Sequence, residues 1–254
     1  MNAITLIAAN TFKETIRNKV LYNVLFFAIG FIFLSVSFGE WSVFARVQVM
    51  QDFGLATMSI AGLLLAIFIG VGMLGKEISS KTIYQVITNP IERYQFILGK
   101  YAGLLLTLFI NFVLLTAVFF LTVLNLGGRI QFEILSAILL IWVELAVIVS
   151  VAILFSTLTT PTLASIFTLG FYIAGHYNDL VDVEILVSQY PFWGYILKTI
   201  YFALPNLEHF NIRSLVIYEL NVPAAFIVNA CLYGCLYVVL FLTIACLSFE
   251  SRDV

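Results

Sequence analysis

Long apolar segments separated by short polar ones run through the whole chain. Six of these segments are predicted to be membrane-spanning helices, because about 20 apolar residues in a helix cross the ~30 Å hydrocarbon core of a bilayer. They lie at about residues 20–38, 55–74, 96–124, 134–155, 162–176 and 224–249. The pattern therefore predicts an all-α integral membrane protein with a single transmembrane domain over residues 1–254, in which the fifth span is short for a full crossing.

Residues 2–18 predict a helix of a different kind. Ile4 and Ile7 recur at helical spacing, whereas Lys13 and Arg17 fall largely on the other side. A helix that is apolar on one face and basic on the other lies in the membrane interface instead of crossing it. The sequence thus predicts an N-terminal interfacial helix, with a frayed tail as the alternative.

The segment at residues 76–93 lies between the second and third spans and is polar, but it keeps apolar residues at spacings that a short amphipathic helix can bury on one side. Its apolar residues are Ile78, Ile83, Val86 and Ile87, and its charged residues include Glu77, Lys81, Glu92 and Arg93. Two interpretations fit this pattern. The segment is either a helix docked on another protein or an amphipathic loop resting on the lipid surface.

The longest region without a predicted span is the outward loop, residues 177–223. Its middle part, Tyr190 to Leu204, is apolar and aromatic but is interrupted by Lys198. Such a segment is too short to span the bilayer, so we expect re-entrant or interfacial helices in this loop. Its aromatic residues suit either a plug in the interface or a docking surface for a periplasmic partner.

The distribution of basic residues predicts the orientation of the chain. Eight of the 12 Lys and Arg residues lie in the N-terminal segment, in or next to the segment at residues 76–93, or in the C-terminal tail. Cytoplasmic segments of membrane proteins are enriched in Lys and Arg. Both termini and the segment at residues 76–93 are therefore predicted to be cytoplasmic, and the outward loop to face the other side of the cell inner membrane.

The composition limits what this chain can do by itself. Hydrophobic residues make up 62% and charged residues 10% of the sequence, against roughly 45–50% and 25% in soluble domains. The formal net charge of −2 argues against nucleic-acid binding, since no basic patch is large enough to neutralise several phosphates. The sequence contains no GxxxxGK[ST] phosphate-binding loop, so we expect neither ATP hydrolysis nor a bound cofactor in this chain.

Polar residues inside the predicted spans are candidates for a functional site. Asn111 lies in the third span, Glu144 in the fourth and Asn229 in the sixth. Glu144 is the most unusual, because a charged residue near the bilayer centre is costly and normally faces protein or water. It is interpreted as part of a translocation path, as a proton-sensitive gate, or as the partner of Asn111 or Asn229 in an interhelical hydrogen bond.

Small residues recur every four positions in the second span, at Gly62, Ala66 and Gly70. This spacing places them on one face of a helix and lets a second helix approach closely. The sequence predicts that this face packs against another helix.

The remaining candidate ligands are few. Cys231 and Cys235 lie one helical turn apart in the sixth span, and soft thiolates suit Cu(I). No Met or His accompanies them there, so we expect apolar packing and no metal site. His176 and His209 are isolated in the sequence and are expected to be structural or solvated.

The order of these elements resembles a known family. An interfacial helix, six spans, the sequence KEISSKTIYQVITNPIERYQFILGK after the second span and a long outward loop before the sixth are similar to the permease subunits of ABC-2 type transporters. The matching residues of that sequence are Glu77, Ser80, Thr82, Pro90, Arg93 and Lys100. The closest resemblance is to permeases of multi-copper enzyme maturation systems of the nitrous-oxide-reductase type.

The resemblance implies that residues 76–93 are a cytoplasmic coupling helix, called the coupling segment below, that sits in a groove of a separate ABC ATPase subunit. Its implied contact residues are Glu77, Ile78, Lys81, Thr82, Ile83, Tyr84, Val86, Ile87 and Arg93. The resemblance also implies a permease homodimer with two copies of the ATPase, which bind ATP and Mg. The chain itself is then a non-catalytic subunit that contacts membrane lipid.

The sequence leaves three functions open. The first is the membrane half of an ATP-driven exporter, and the second is a mechanotransmitter that acts on a periplasmic partner without moving a solute. The third is a proton-coupled secondary carrier that uses Glu144. The third predicts repeated halves and several ionisable groups inside the membrane, which the sequence does not show.

Overall fold

A computed structural model of the chain describes residues 3–41, 45–79, 92–129, 132–177 and 204–250, without the side chains of residues 73–79 and 132. The α-helices are α1 Ala3–Ile16, α2 Lys19–Glu40, α3 Arg46–Ser79, α4 Arg93–Asn125, α5 Phe132–Leu158, α6 Pro161–His176, α7 Arg213–Ile217 and α8 Ala224–Glu250, with a 3-10 turn at Leu207–Phe210 before α7. Five of them, α2, α3, α4, α5 and α8, are long and apolar enough to cross a membrane. The prediction of an all-α, multi-pass membrane protein is confirmed for the described residues.

Helix α3 begins at Arg46, whereas the sequence placed the start of the second span near residue 55. The first turns of this helix contact α2. The Arg46 guanidinium lies 2.8 Å from the Glu40 carboxylate, and the Phe53 ring stacks on Phe38 with centroids 4.9 Å apart. Tertiary contacts thus support a helix in a stretch that lies before the predicted start of the second span.

Helix α6 is shorter than the other predicted spans, with 16 residues. Pro161 lies in its first turn, where the missing N–H has no partner to lose. At 1.5 Å per residue the helix is about 24 Å long, which is less than the ~30 Å hydrocarbon core. Six complete crossings therefore stay a prediction, since the described residues contain five helices of sufficient length.

The described end of the outward loop folds back onto the helix bundle. Leu207 and Phe210 of the 3-10 turn are almost completely buried. The backbone N–H of Asn206 donates a hydrogen bond to the hydroxyl oxygen of Tyr233 on α8, at 2.8 Å. Residues 190–203 of the predicted re-entrant segment lie outside the described residues.

Helix α5 forms the centre of the bundle, and the predicted small-residue face of α3 packs against it. A Cβ at Gly62 would overlap the Leu145 side chain, and a Cβ at Gly70 would lie 3.4 Å from the Cβ of Ala152. Ala66, between the two glycines, is 2% exposed. The predicted packing face is confirmed, and the small residues allow the two helices to approach closely.

Helix α1 lies against the first half of α4. A Cβ at Gly99 would lie 2.7 Å from the Cβ of Ile7, and one at Gly103 would lie 2.6 Å from a carbonyl oxygen of α1. Between these glycines, Lys100 is buried and its Nζ lies 3.9 Å from the Glu14 carboxylate. A helix is present where the interfacial helix was predicted, and its buried residues are Thr11 and Thr15. Its place in the membrane interface stays a prediction.

These contacts define two ends of the bundle. At the α1 end, α1, the start of α4 and the end of α8 meet. At the loop end, the start of α3, the turn between α4 and α5, and residues 204–217 meet. The candidate sites lie one at each end.

Candidate functional site

The coupling segment connects α3 to α4. Helix α3 continues to Ser79, but the side chains of Glu77 and Ile78 within it lie outside the described residues. The same holds for all atoms of Lys81, Thr82, Ile83, Tyr84, Val86 and Ile87. Arg93, the last residue of the coupling segment, is the first residue of α4 and lies at the α1 end.

The Arg93 side chain joins α4 to α8. Its Nη1 donates hydrogen bonds to the carbonyl oxygens of Phe249, at 3.1 Å, and Glu250, at 2.9 Å. The last carbonyls of a helix lack partners within the helix and carry the negative end of its dipole, so a guanidinium is favourable there. The ring of Phe96 stacks on Phe249 with centroids 5.9 Å apart. The end of the coupling segment is therefore attached to α8 as well as to α4.

A cavity of about 310 Å³ lies between α3, α5, α6 and residues 210–213. We call it the Glu144 cavity. Its polar lining residues are Ser59, Glu144, Tyr172, His176, Asn211 and Arg213. A second cavity of about 410 Å³ shares Asn211 and Arg213 with it and extends to the start of α3. The two cavities form a polar recess at the loop end of the bundle.

Glu144 is buried in the wall of its cavity, with a side chain that is 3% exposed. Its Oε1 lies 3.6 Å from His176 Nε2 and has no hydrogen-bond partner among the described residues. His176 Nε2 also lies 4.0 Å from Glu208 Oε2. One imidazole thus lies between two carboxylates.

Helix α6 and the 3-10 turn position the groups that face Glu144. His176 Nδ1 lies 3.3 Å from the carbonyl oxygen of Tyr172, and the centroids of the two rings are 4.4 Å apart. Glu208 Oε1 accepts a hydrogen bond from Asn211 Nδ2 at 2.7 Å. These contacts restrict both the imidazole and the second carboxylate.

Arg213, in the first position of α7, also lines the Glu144 cavity. Its Nε lies 2.8 Å from Asp52 Oδ1 on α3. This ion pair ties residues 204–217 to α3, and the two charges compensate each other.

The structure shows no hydrogen bond between Glu144 and either of the two expected partners, Asn111 and Asn229, among the described residues. Asn111 donates its side-chain N–H to the Thr107 carbonyl of its own helix, at 2.7 Å. Asn229 lies on the exposed face of α8. Glu144 lies near α6 instead, with its Oε1 3.6 Å from His176 Nε2.

Sequence reasoning found Glu144 but missed the residues around it. His176 was expected to be structural or solvated, and Glu208 and the pair of Asp52 with Arg213 carried no recognisable motif. The only signal in the sequence was the position of His176 at the end of a short span, next to the outward loop.

The comparison with known families agrees with this architecture. The sequence matches the family model described as ABC-2 family transporter protein over residues 5–254. No curated protein matches the chain. Because the family match spans nearly the whole chain and its helices are long and apolar, the chain belongs to the ABC-2 transporter family and is a multi-pass transmembrane permease component of an ABC transporter, with an ABC ATPase as its partner.

Proposed function

We propose that this permease converts ATP hydrolysis by the separate ATPase into movement of its membrane helices, and that the coupling segment is the contact. ATP and Mg bind to the ATPase subunit. The α1 end and both termini then face the cytoplasm, and the loop end faces the outer side of the inner membrane. Apolar residues form the core of the contact and polar ones its rim, as interfaces generally require. The core residues are Ile78, Ile83, Tyr84, Val86 and Ile87, and the rim residues are Glu77, Lys81, Thr82 and Arg93.

The observation that carries this proposal is how the two ends of the coupling segment continue into the bundle. Helix α3 is unbroken from Arg46 to Ser79 and so runs without interruption from the second predicted span into the coupling segment. At the other end, Arg93 is hydrogen-bonded to the last carbonyls of α8. A displacement of the coupling segment therefore acts on α3, α4 and α8 together. Such coupled rigid-body shifts of packed helices are an established form of switching.

We also propose that two copies of the permease assemble with two ATPase subunits. Only 22% of the apolar part of α2 and 28% of that of α8 are buried within the chain, against 83% for α5. Faces of α2 and α8 are thus free to contact lipid or a second copy. Two-fold homodimers are the commonest assemblies of identical subunits, and two ATPase subunits closing on ATP would then move both copies at once.

The polar recess at the loop end favours an exporter as the function of this movement. A solute bound in the Glu144 cavity is surrounded by α3, α5 and α6, and α3 is one of the helices that the coupling segment reaches. The second candidate is a mechanotransmitter that acts on a periplasmic partner without moving a solute. It is supported by the ion pair between Arg213 and Asp52, through which movement of α3 would reach the outward loop.

The experiment that tests the coupling uses an introduced cysteine in the Glu144 cavity. Ser59→Cys, in the complex with its ATPase in lipid nanodiscs, is expected to react with a membrane-impermeant maleimide at a rate that changes at least threefold when ATP and vanadate are added. The reason is that α3, which carries Ser59, shifts when the ATPase subunits close. Mass spectrometry of the modified peptide measures the rate separately from any reaction of the native cysteines.

Glu133→Cys is the matched control, because Glu133 is exposed at the start of α5 and lies outside the cavity lining. Its labelling rate is expected to stay constant. Equal labelling of Ser59→Cys with and without ATP, in a complex that hydrolyses ATP, would overturn the proposal.

A further inference from the structure

The Glu144 cavity contains a buried acceptor atom that has no hydrogen-bond partner among the described residues. The Glu144 side chain is 3% exposed, and its Oε1 accepts no hydrogen bond from any described residue. Buried polar atoms in native proteins are almost always hydrogen-bonded. Because Glu144 lines an open cavity, its missing partner can be supplied by a ligand.

The charges around the cavity indicate the sign of that ligand. Glu144 is the carboxylate of the described cavity lining, and His176, 3.6 Å from it, carries a charge only when it is protonated. Glu208, 4.0 Å from His176, is 40% exposed and lies outside the lining. The cation that lines the cavity, Arg213, is already paired with Asp52 at 2.8 Å. With a neutral imidazole, Glu144 is therefore the one charge of the described lining that no opposite charge compensates, and this favours a positively charged guest.

The walls of the cavity indicate the rest of the ligand. Apolar side chains surround the polar groups and include Leu55, Ile60, Ile141, Phe210 and Ile212. Ligand pockets of about 300 Å³ lie at the small end of the usual range and combine an apolar wall with a few fixed polar groups. The cavity, at about 310 Å³, fits a compact apolar body that carries one polar head.

A metal ion fits this lining less well than an organic cation. The described residues contain no group of three or more His, Cys, Asp and Glu side chains placed to hold a metal. Apolar side chains make up half of the lining, and they contribute nothing to the coordination of a small hard cation.

We propose that the Glu144 cavity binds an organic monocation, an ammonium group attached to a compact apolar body. The ammonium donates a hydrogen bond to Glu144 Oε1, and the apolar body packs against α3, α5 and the 3-10 turn. Aromatic rings of Tyr172 and Phe210 line the same cavity and favour a cation by the attraction of their faces. That this cation is the exported solute rests on the proposed function, whereas its binding does not.

The test compares two probes of nearly the same shape, phenethylammonium and phenethyl alcohol. Their affinities for the purified permease in lipid nanodiscs are measured by isothermal titration calorimetry, with empty nanodiscs subtracted, and without ATPase or nucleotide. The wild-type permease is expected to bind the ammonium at least tenfold more tightly than the alcohol. Equal affinity for the two probes, or no binding of the ammonium, would overturn the proposal.

The substitution Glu144→Gln keeps the size of the side chain and removes its charge. It is expected to abolish the preference for the ammonium, with affinity for the alcohol unchanged. Glu133→Gln makes the same change at an exposed position of the same helix and is expected to keep the wild-type preference. A tenfold preference that persists in Glu144→Gln would show that the cation binds elsewhere.

A second variant keeps the test decisive if Glu144→Gln does not fold. Ala56→Phe retains Glu144 and fills the cavity from the α3 wall, where Ala56 lines it. It is expected to weaken binding of both probes at least tenfold, and unchanged affinities would refute the site. Because no ATPase is present, failure here leaves the coupling proposal untouched. A constant Ser59→Cys labelling rate, with binding intact, would count against the coupling proposal alone.

Discussion

Replacing Tyr84 and Ile87 together with aspartate is expected to reduce co-purification of the ATPase with this permease at least tenfold. The proposed function places both side chains in the apolar centre of the ATPase contact. Substitution at such a central position costs about 2–4 kcal/mol, and each 1.4 kcal/mol corresponds to about a tenfold change in affinity. The measurement is the amount of ATPase retained on tagged permease from solubilised membranes.

The control for this double substitution makes the same kind of change, an aromatic and an aliphatic residue to aspartate, at the opposite end of the bundle. Tyr218 and Leu220 are exposed at the loop end, 67% and 53% respectively, so the double change Tyr218→Asp with Leu220→Asp adds the same charges on the other side of the membrane. It is expected to retain the ATPase at wild-type stoichiometry. If both double variants retain the same amount of ATPase, the coupling segment is not part of the contact with the ATPase.

The second large effect is expected from Gly62→Leu, which should lower the thermal midpoint of the solubilised permease by about 2–12 °C. A Cβ at Gly62 would overlap Leu145, and it would lie 2.9 Å from a ring carbon of Phe112. Overpacking a tight interface costs about 1–3 kcal/mol, and about 1 kcal/mol shifts the midpoint of a chain this long by about 2–4 °C. The loss of the monodisperse peak after heating measures the effect.

Gly72→Leu is the matched control on the same helix. A Cβ at Gly72 has no neighbour within 4 Å among the described residues, so leucine there has room. The variant is expected to melt within about 2 °C of the wild type, since Leu is a better helix former than Gly. Equal thermal midpoints for Gly62→Leu and Gly72→Leu would show that Gly62 is not needed for the close packing of α3 against α5.

The helices could be predicted from the sequence because the bilayer imposes a simple rule of length and polarity. Five of the predicted spans coincide with helices long enough to cross. The small-residue face of α3 was also predictable, because a repeat of four positions places Gly62, Ala66 and Gly70 on one side of a helix. Both predictions depend on local periodicity, which the sequence shows directly.

Features that depend on contacts between distant segments were not predictable. Helix α3 extends back to Arg46, before the predicted start of the second span, and its first turns contact α2. The fold of residues 204–217 onto α5, α6 and α8 depends on Leu207 and Phe210, which are buried in the bundle. Nothing in the spacing of these residues indicates a partner.

The candidate sites show the same division. A glutamate in a span is conspicuous by itself, so Glu144 could be selected from the sequence. The groups around it come from two other segments, His176 from the end of α6 and Glu208 from the 3-10 turn. The fold places His176 Nε2 3.6 Å from the Glu144 carboxylate and 4.0 Å from the Glu208 carboxylate. The hydrogen bond predicted from Glu144 to an asparagine failed because sequence does not show which face of α5 meets which helix.

Arg93 shows how a predicted residue can have an additional role. It was expected at the polar rim of the ATPase contact, and that role stays a prediction. Its hydrogen bonds to the end of α8 add a connection between the coupling segment and a helix that is distant in sequence. This connection makes a concerted movement of α3, α4 and α8 physically reasonable.

The central claim is that the coupling segment contacts an ATP-hydrolysing subunit in the cytoplasm. Its most direct test places the photo-crosslinking amino acid benzoylphenylalanine at position 84 in cells and identifies the crosslinked product by mass spectrometry. We predict a product that joins the permease to a protein with a GxxxxGK[ST] phosphate-binding loop, and no such product from the same amino acid at position 218. A coupling segment that never crosslinks to an ATPase, while position 218 does, would contradict the account.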